Sequence, residues 1–261
     1  MADSMRAAVY LGPKNIQVQT VPKPQCGPGE IRIKVGACAI CGTDMRIYTH
    51  GQKNVVPPAI TGHEIAGVID AVGAGVEGYK VGQKATIVTP VGCGHCKFCI
   101  RGIHNLCVDF KAIGYDYPGG FAEYVTIGEK AVRQGNVIVM PAHVPDDEAS
   151  LVEPLSCVLN GQEYLHIGVG DTVTVIGAGP IGLMHLELAR AKGATKLILI
   201  EWAKARLDVA KEKFPADTYI CSADEDPVKR VIEATDGVGT DVAIVACGVN
   251  QCQEQAIAMT A

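Results

Sequence analysis

The chain has 261 residues, enough for one large domain or two ordinary ones, and at 48% hydrophobic and 20% charged residues it can bury a core and is not disordered. Its 23 Lys and Arg against 28 Asp and Glu leave a net charge of -5, so there is no basic excess to neutralise a nucleic-acid backbone. No apolar run approaches the roughly 18 residues of a membrane span, and Met1 to Lys14 carries no apolar signal stretch, so the sequence reads as globular, cytoplasmic and without a membrane partner.

Taken in chain order, residues 1–150 read as a mainly β domain. Short runs such as Ile31 to Val35, Ile65 to Val72 and Lys84 to Val88 are separated by Gly/Pro turns like Cys26-Gly27-Pro28-Gly29. Eleven cysteines without a signal peptide argue for metal binding or catalysis rather than a disulfide framework. Cys26, Cys38, Cys157, Cys221, Cys247 and Cys252 are scattered and read as core fillers. Cys93, Cys96, Cys99 and Cys107 instead cluster with spacing that wraps one tetrahedral ion. Four thiolates leave no open position, which points to a structural zinc. An iron–sulfur cluster is the rival, but the last gap and the Val108 that follows do not match the ferredoxin run. His95 and His104 then read as loop surface.

The acidic start Pro145-Asp146-Asp147-Glu148 leads into a helix expected over Ala149 to Leu165, which joins the two halves. Residues 151–261 alternate strands (Thr172 to Ile176, Lys196 to Ile200, Thr218 to Cys221, Asp241 to Cys247) with helical patterns (Ile181 to Lys192, Ala203 to Lys213, Val228 to Thr235, Gln251 to Ala261). This is the pattern of a parallel α/β sheet. Gly177-Ala178-Gly179-Pro180-Ile181-Gly182 follows the first of these strands and opens a helix, as a dinucleotide-binding Rossmann fingerprint requires. Gly177 permits the turn, Gly179 lets a pyrophosphate approach, Gly182 allows close helix packing, and Pro180 and Ile181 lie at the helix N-terminus that attracts the negative charge. Glu201 would accept the ribose hydroxyls and repel a 2′-phosphate, which favours NAD over NADP. Arg206 and Lys204 could meet a phosphate or be solvated on the helix face.

Cys41 in Cys41-Gly42-Thr43-Asp44, His63 and Glu64 in Gly62-His63-Glu64, and Glu153 before Pro154 are possible ligands of a second metal. Each alone is equally a satisfied histidine or an ordinary carboxylate. Together with Gly67, Gly73, the cysteine lobe, Gly119-Gly120-Phe121-Ala122-Glu123-Tyr124 and the fingerprint, in that order, they resemble the zinc-dependent medium-chain dehydrogenase/reductase family of alcohol, sorbitol and threonine dehydrogenases. The resemblance covers the whole chain. It implies an α/β protein with a β-rich GroES-like catalytic domain followed by a doubly wound Rossmann domain. By the same resemblance, Cys41, His63, Glu64 and Glu153 are ligands of a catalytic zinc, with Glu64 or water completing its sphere. Asp44 orients His63, Thr43 receives the alcohol proton, and His50 either extends the relay or is a surface histidine.

The function implied is hydride transfer from a secondary alcohol, a polyol first and threonine as runner-up, to NAD, with one catalytic and one structural zinc and a homodimer or homotetramer as the assembly. A zinc-ribbon interaction module is disfavoured by the acidic chain, and a non-redox zinc enzyme by the fingerprint with Glu201. A full Rossmann sheet has six strands in the order 3-2-1-4-5-6, so the sequence reads as C-terminally incomplete. Strand four is then expected to be an exposed apolar edge, with weak binding of the adenosine end and poor turnover.

Overall fold

A computed structural model of the chain describes residues 3–261. The first compact unit runs to Glu153 and the second is Pro154–Ala261. The first contains β1 (Ser4–Gly12), β2 (Asn15–Pro22), β3 (Ile31–Ala39), α1 (Gly42–His50), β4 (Ala59–Ile60), β5 (Glu64–Val72), β6 (Lys84–Ile87), β7 (Pro90–Val91), β8 (Lys111–Ala112), β9 (Tyr124–Ile127), α2 (Glu129–Arg133), β10 (Val137–Val139) and α3 (Asp146–Ser150). α4 (Val152–Glu163) spans the division between the units. The second unit continues with β11 (Thr172–Ile176), α5 (Pro180–Lys192), β12 (Lys196–Glu201), α6 (Lys204–Lys213), β13 (Thr218–Cys221), α7 (Pro227–Ala234), β14 (Val242–Val245) and α8 (Asn250–Met259).

The first unit is built on an antiparallel five-stranded sheet, β10-β6-β5-β3-β9, beside a three-stranded sheet, β2-β1-β4. Alternation in β3 sends Ile31 and Ile33 into the core, where they meet Ile65, Ile69, Ile87 and Ile127, while Arg32 turns outward to the Asp70 carboxylate of β5 at 2.7 Å. The expected end at Val35 is too early. Register shifts between Arg32 and Ile33 and between Val35 and Ala37 carry β3 through Gly36 to Ala39, and that extension brings the chain to Cys41.

The second unit has the expected α/β architecture. Its parallel sheet has the order β13-β12-β11-β14, which is 3-2-1-4 when counted from β11. β12 is buried on both faces, as a central parallel strand must be, and Leu197, Ile198, Leu199 and Ile200 are each at most 1% exposed. α5 starts with Pro180 in its first turn and ends on Gly193 in the left-handed region, and α7 starts at Asp226, whose side chain accepts from the N–H groups of Val228 and Lys229. β14 is the edge strand beside β11. α8 packs against it, so Ile244 is buried and its neighbours are half-buried rather than bare.

The single helix expected over Ala149 to Leu165 is in fact two, α3 and α4, broken at Leu151. Pro154 is the physical reason: it lacks an N–H and fits only the first turn of a helix, so α4 begins just before it. Among the described residues no helix is long and apolar enough to cross a membrane.

Candidate active site

Cys41 is the N-cap of α1, and Asp44 lies three residues into the helix. One carboxylate oxygen of Asp44, Oδ2, accepts from the Cys41 backbone N–H at 2.9 Å and so fixes the turn that presents the thiol. The other, Oδ1, faces His63 Nδ1 at 3.7 Å. Both of these atoms are buried without a hydrogen-bond partner, and they face only each other. Asp44 therefore ties the thiol-bearing turn to the imidazole, as an outer-shell carboxylate does behind a metal-bound histidine.

His63 and Glu64 stand where the chain enters β5, and the segment Gly119 to Phe121 pairs with residues 60–62 just before them. A Cβ at Gly119 would collide with the Gly62 carbonyl, so this close pairing needs glycine there. The result is that Cys41 Sγ, a His63 ring nitrogen and a Glu64 carboxylate oxygen all lie within 4.8 Å of one another, with His63 and Glu64 buried. Glu153 lies outside this trio but close enough to feel the His63 charge. Burial is the main cause that raises the carboxyl pKa values of Asp44, Glu64 and Glu153 and that of the Cys41 thiol. Soft sulfur, imidazole and carboxylate donors gathered in a desolvated, acid-rich spot fit a zinc ion, whose charge would favour the ionised forms that burial penalises.

Thr43 is half-buried in the first turn of α1, beside the Tyr115 hydroxyl. His50 is not brought into the cluster: it is exposed at the far end of α1, about 10 Å along the axis from Thr43. Tyr115 has no motif to announce it. It sits in the turn after β8, its hydroxyl is 3.3 Å from His63 Nε2, and the two rings are 5.0 Å apart at 39°. Burial, then the charges of Cys41 and Asp44, push its pKa above the usual tyrosine range.

In the cysteine lobe all four sulfurs gather. The separations are 3.9 Å for Cys93 to Cys99, 3.6 Å for Cys96 to Cys99 and 3.9 Å for Cys96 to Cys107. A tetrahedron with 2.3 Å zinc–sulfur arms has edges of about 3.8 Å, so the lobe already has the dimensions of an S4 site. Backbone N–H groups point at the sulfurs: Cys93 to Cys107 Sγ at 3.1 Å, Cys96 to Cys93 Sγ at 3.3 Å, Asp109 to Cys107 Sγ at 3.3 Å. With help from the Cys99 backbone, the Cys96 thiol is brought down to about 6.

In the second unit Gly177 has φ 110° and Gly179 caps α5 with open space where a side chain would stand. A Cβ at Gly182 would run into the Gly177 carbonyl. A backbone turn that ends at a helix N-terminus with room for an approaching phosphate fits a dinucleotide. Glu201 at the end of β12 is only 6% exposed, and it accepts from Ala178 N–H and Ala203 N–H, both at 2.8 Å. Arg206 pairs with the same carboxylate at 3.3 Å, so its charge is already engaged. Burial pushes the Glu201 carboxyl up, but these N–H groups and Arg206 outweigh it and hold the carboxyl below its ordinary value.

Comparison with known proteins gives two family matches, an alcohol dehydrogenase GroES-like domain over residues 27–138 and a zinc-binding dehydrogenase domain over residues 180–261. The chain is 38% identical to the L-threonine 3-dehydrogenase of Pyrococcus furiosus and 34% identical to the sorbitol dehydrogenase of Bacillus subtilis, in each case over 98% of this chain and 72% of the relative. Among solved structures, a Sinorhizobium meliloti zinc-binding dehydrogenase bound to NADP superposes with a TM-score of 0.90 at 33% identity, covering 98% of this chain and 74% of the other.

Proposed function

The chain belongs to the zinc-dependent medium-chain dehydrogenase family and is an oxidoreductase of the alcohol dehydrogenase type, and from that premise we propose that it oxidises a secondary alcohol of the polyol class with NAD as acceptor. The observation that carries this reading is the convergence of Cys41, His63 and Glu64 from two separate segments onto one point, with Asp44 behind the imidazole. In this reading those three residues, with Glu153 close by, hold a catalytic zinc, and Cys93, Cys96, Cys99 and Cys107 hold a structural one. We assign residues 1–150 to the catalytic domain and 151–261 to the dinucleotide domain.

Bound in these places, zinc supplies a Lewis acid that lowers the pKa of an alcohol hydroxyl and the dinucleotide supplies a hydride acceptor. The protein's own groups do the rest. Asp44 keeps His63 in the orientation that leaves Nε2 free for the metal. Thr43 Oγ1 takes the proton of the substrate hydroxyl. From there His50 lies about 10 Å along α1 and exposed, farther than one water can bridge, so a relay to it would need a chain of waters leading out to solvent. Gly177, Gly179, Pro180, Ile181 and Gly182 receive the pyrophosphate.

Glu201 supports NAD. A 2′-phosphate would meet a buried carboxylate, and Arg206 would have to leave that carboxylate to compensate. L-Threonine is the second reading, favoured by the identity to the Pyrococcus enzyme. The test is a panel of sorbitol, butane-2,3-diol and L-threonine with NAD and with NADP, followed by the absorbance of the reduced cofactor. Highest kcat/KM with a polyol and NAD supports the proposal. Preference for threonine moves the assignment to the second reading, and preference for NADP transfers cofactor choice to Arg206 and Lys204.

A further inference from the structure

We propose that the Tyr115 hydroxyl is the hydrogen-bond donor that orients the substrate oxygen at the Cys41, His63 and Glu64 centre, an inference that rests on the reading of that centre given above. The hydroxyl lies 3.3 Å from His63 Nε2, the ring nitrogen turned away from Asp44. A neutral imidazole offers one lone pair, and a metal ion on Nε2 takes it. The half-buried phenol then loses that acceptor while remaining beside the metal, with the Thr43 side chain as its other polar neighbour. A substrate oxygen at the open position of the centre is the acceptor that restores the bond. At neutral pH the phenol keeps its proton and can only gain from such a partner.

Access points the same way. Tyr115 also lines a cleft of about 1030 Å³ in the first unit, together with Asn54, Ile60, Asp116 and Tyr117. Tyr115 both lines this cleft and touches His63, so a molecule in the cleft can meet the centre at this side chain. Thr43 and Tyr115 thereby divide the work. Thr43 accepts the hydroxyl proton, and Tyr115 donates to an oxygen lone pair and fixes the direction of the C–O bond.

The test uses the cobalt-substituted protein, whose visible absorption reports the ligands at the mixed-donor centre, and tert-butanol, which has no hydrogen on its carbinol carbon and cannot be oxidised. Tyr115→Phe keeps the ring against His63 and removes only the hydroxyl. The variant is expected to take up the same cobalt per chain and to unfold at the same temperature, but to bind tert-butanol about tenfold more weakly. With sorbitol and the zinc protein, KM should rise more than kcat falls. Equal tert-butanol affinity in Tyr115→Phe and the parent overturns the role of the hydroxyl and leaves the centre standing. If the parent shows no cobalt band that His63→Ala abolishes, the centre itself is misread and the Tyr115 role falls with it.

Discussion

Replacing Glu201 by Ala tests whether the dinucleotide loop is organised by this carboxylate before any ligand arrives. Two backbone N–H groups, those of Ala178 and Ala203, donate to it at 2.8 Å in a site only 6% exposed. A hydrogen bond to a charged acceptor is worth about 1.5–3 kcal/mol, so losing two and leaving the buried Ala178 N–H unpaired should cost about 3–5 kcal/mol locally. The Arg206 pair adds little, because its side chain is 58% exposed. Glu201→Gln keeps one acceptor oxygen but turns an NH2 group toward the other N–H, and should cost roughly half as much. Because the two units need not unfold together, the readout is hydrogen exchange at the Ala178 and Ala203 amides, which should quicken by roughly a hundredfold to a few thousandfold in Glu201→Ala. The lowered pKa sets the pH window: this stabilisation is present above the ordinary glutamate value and is lost as pH falls through the lower folded value. Exchange within twofold of the parent at both amides would refute the reasoning. The result also governs how cofactor data are read, since weaker NAD binding in Glu201→Ala mixes a lost ribose contact with a loosened loop. The NAD to NADP affinity ratio in Glu201→Gln isolates the ribose contact better.

Cys96→Ser should lose one zinc per chain and loosen the lobe, seen by elemental analysis and by proteolysis within residues 93–107. Asp44→Asn keeps the helix cap through its remaining oxygen but weakens the hold on His63, and zinc affinity at the mixed-donor centre should fall about 10- to 100-fold by competition with a chelator. In Asp70, burial raises the carboxyl pKa, but Arg32 at 2.7 Å and Lys23 at 3.3 Å outweigh it and hold the pKa below the ordinary value. Its contribution is therefore present above that value and lost as pH falls through the folded one, so Asp70→Asn should cost about 1–2 kcal/mol at neutral pH and flatten the acid limb of stability measured by denaturant unfolding.

The parallel sheet was legible in the sequence because its signals are local. Thr172 to Ile176 is an apolar run between Gly170 and Gly177, Lys196 to Ile200 is one that follows Gly193 and ends at Glu201, and the loop between Gly177 and Gly182 is contiguous, so strand, turn and helix declare one another. The cysteine lobe is local for the same reason. The true length of β3 was hidden, because two irregularities in its register break the alternation that marks a strand. The break between α3 and α4 was readable in Pro154. Cys41, His63 and Glu64 became a site only through family resemblance, since their grouping depends on β3 running on to Ala39 and on β5 pairing back beside it. Tyr115 could not be found at all: it lies in the polar turn Gly114-Tyr115-Asp116-Tyr117-Pro118, 52 residues from the histidine it meets, and no periodicity links the two.

The account stands most directly on the count of zinc ions in the parent and in His63→Ala, determined by elemental analysis on protein freed of loosely held metal. Two per chain in the parent, one in the variant and no turnover in the variant is the predicted outcome, because the all-sulfur lobe is closed and independent while the mixed-donor centre needs its imidazole. The same zinc content in both proteins, with dehydrogenase activity retained in His63→Ala, would contradict it.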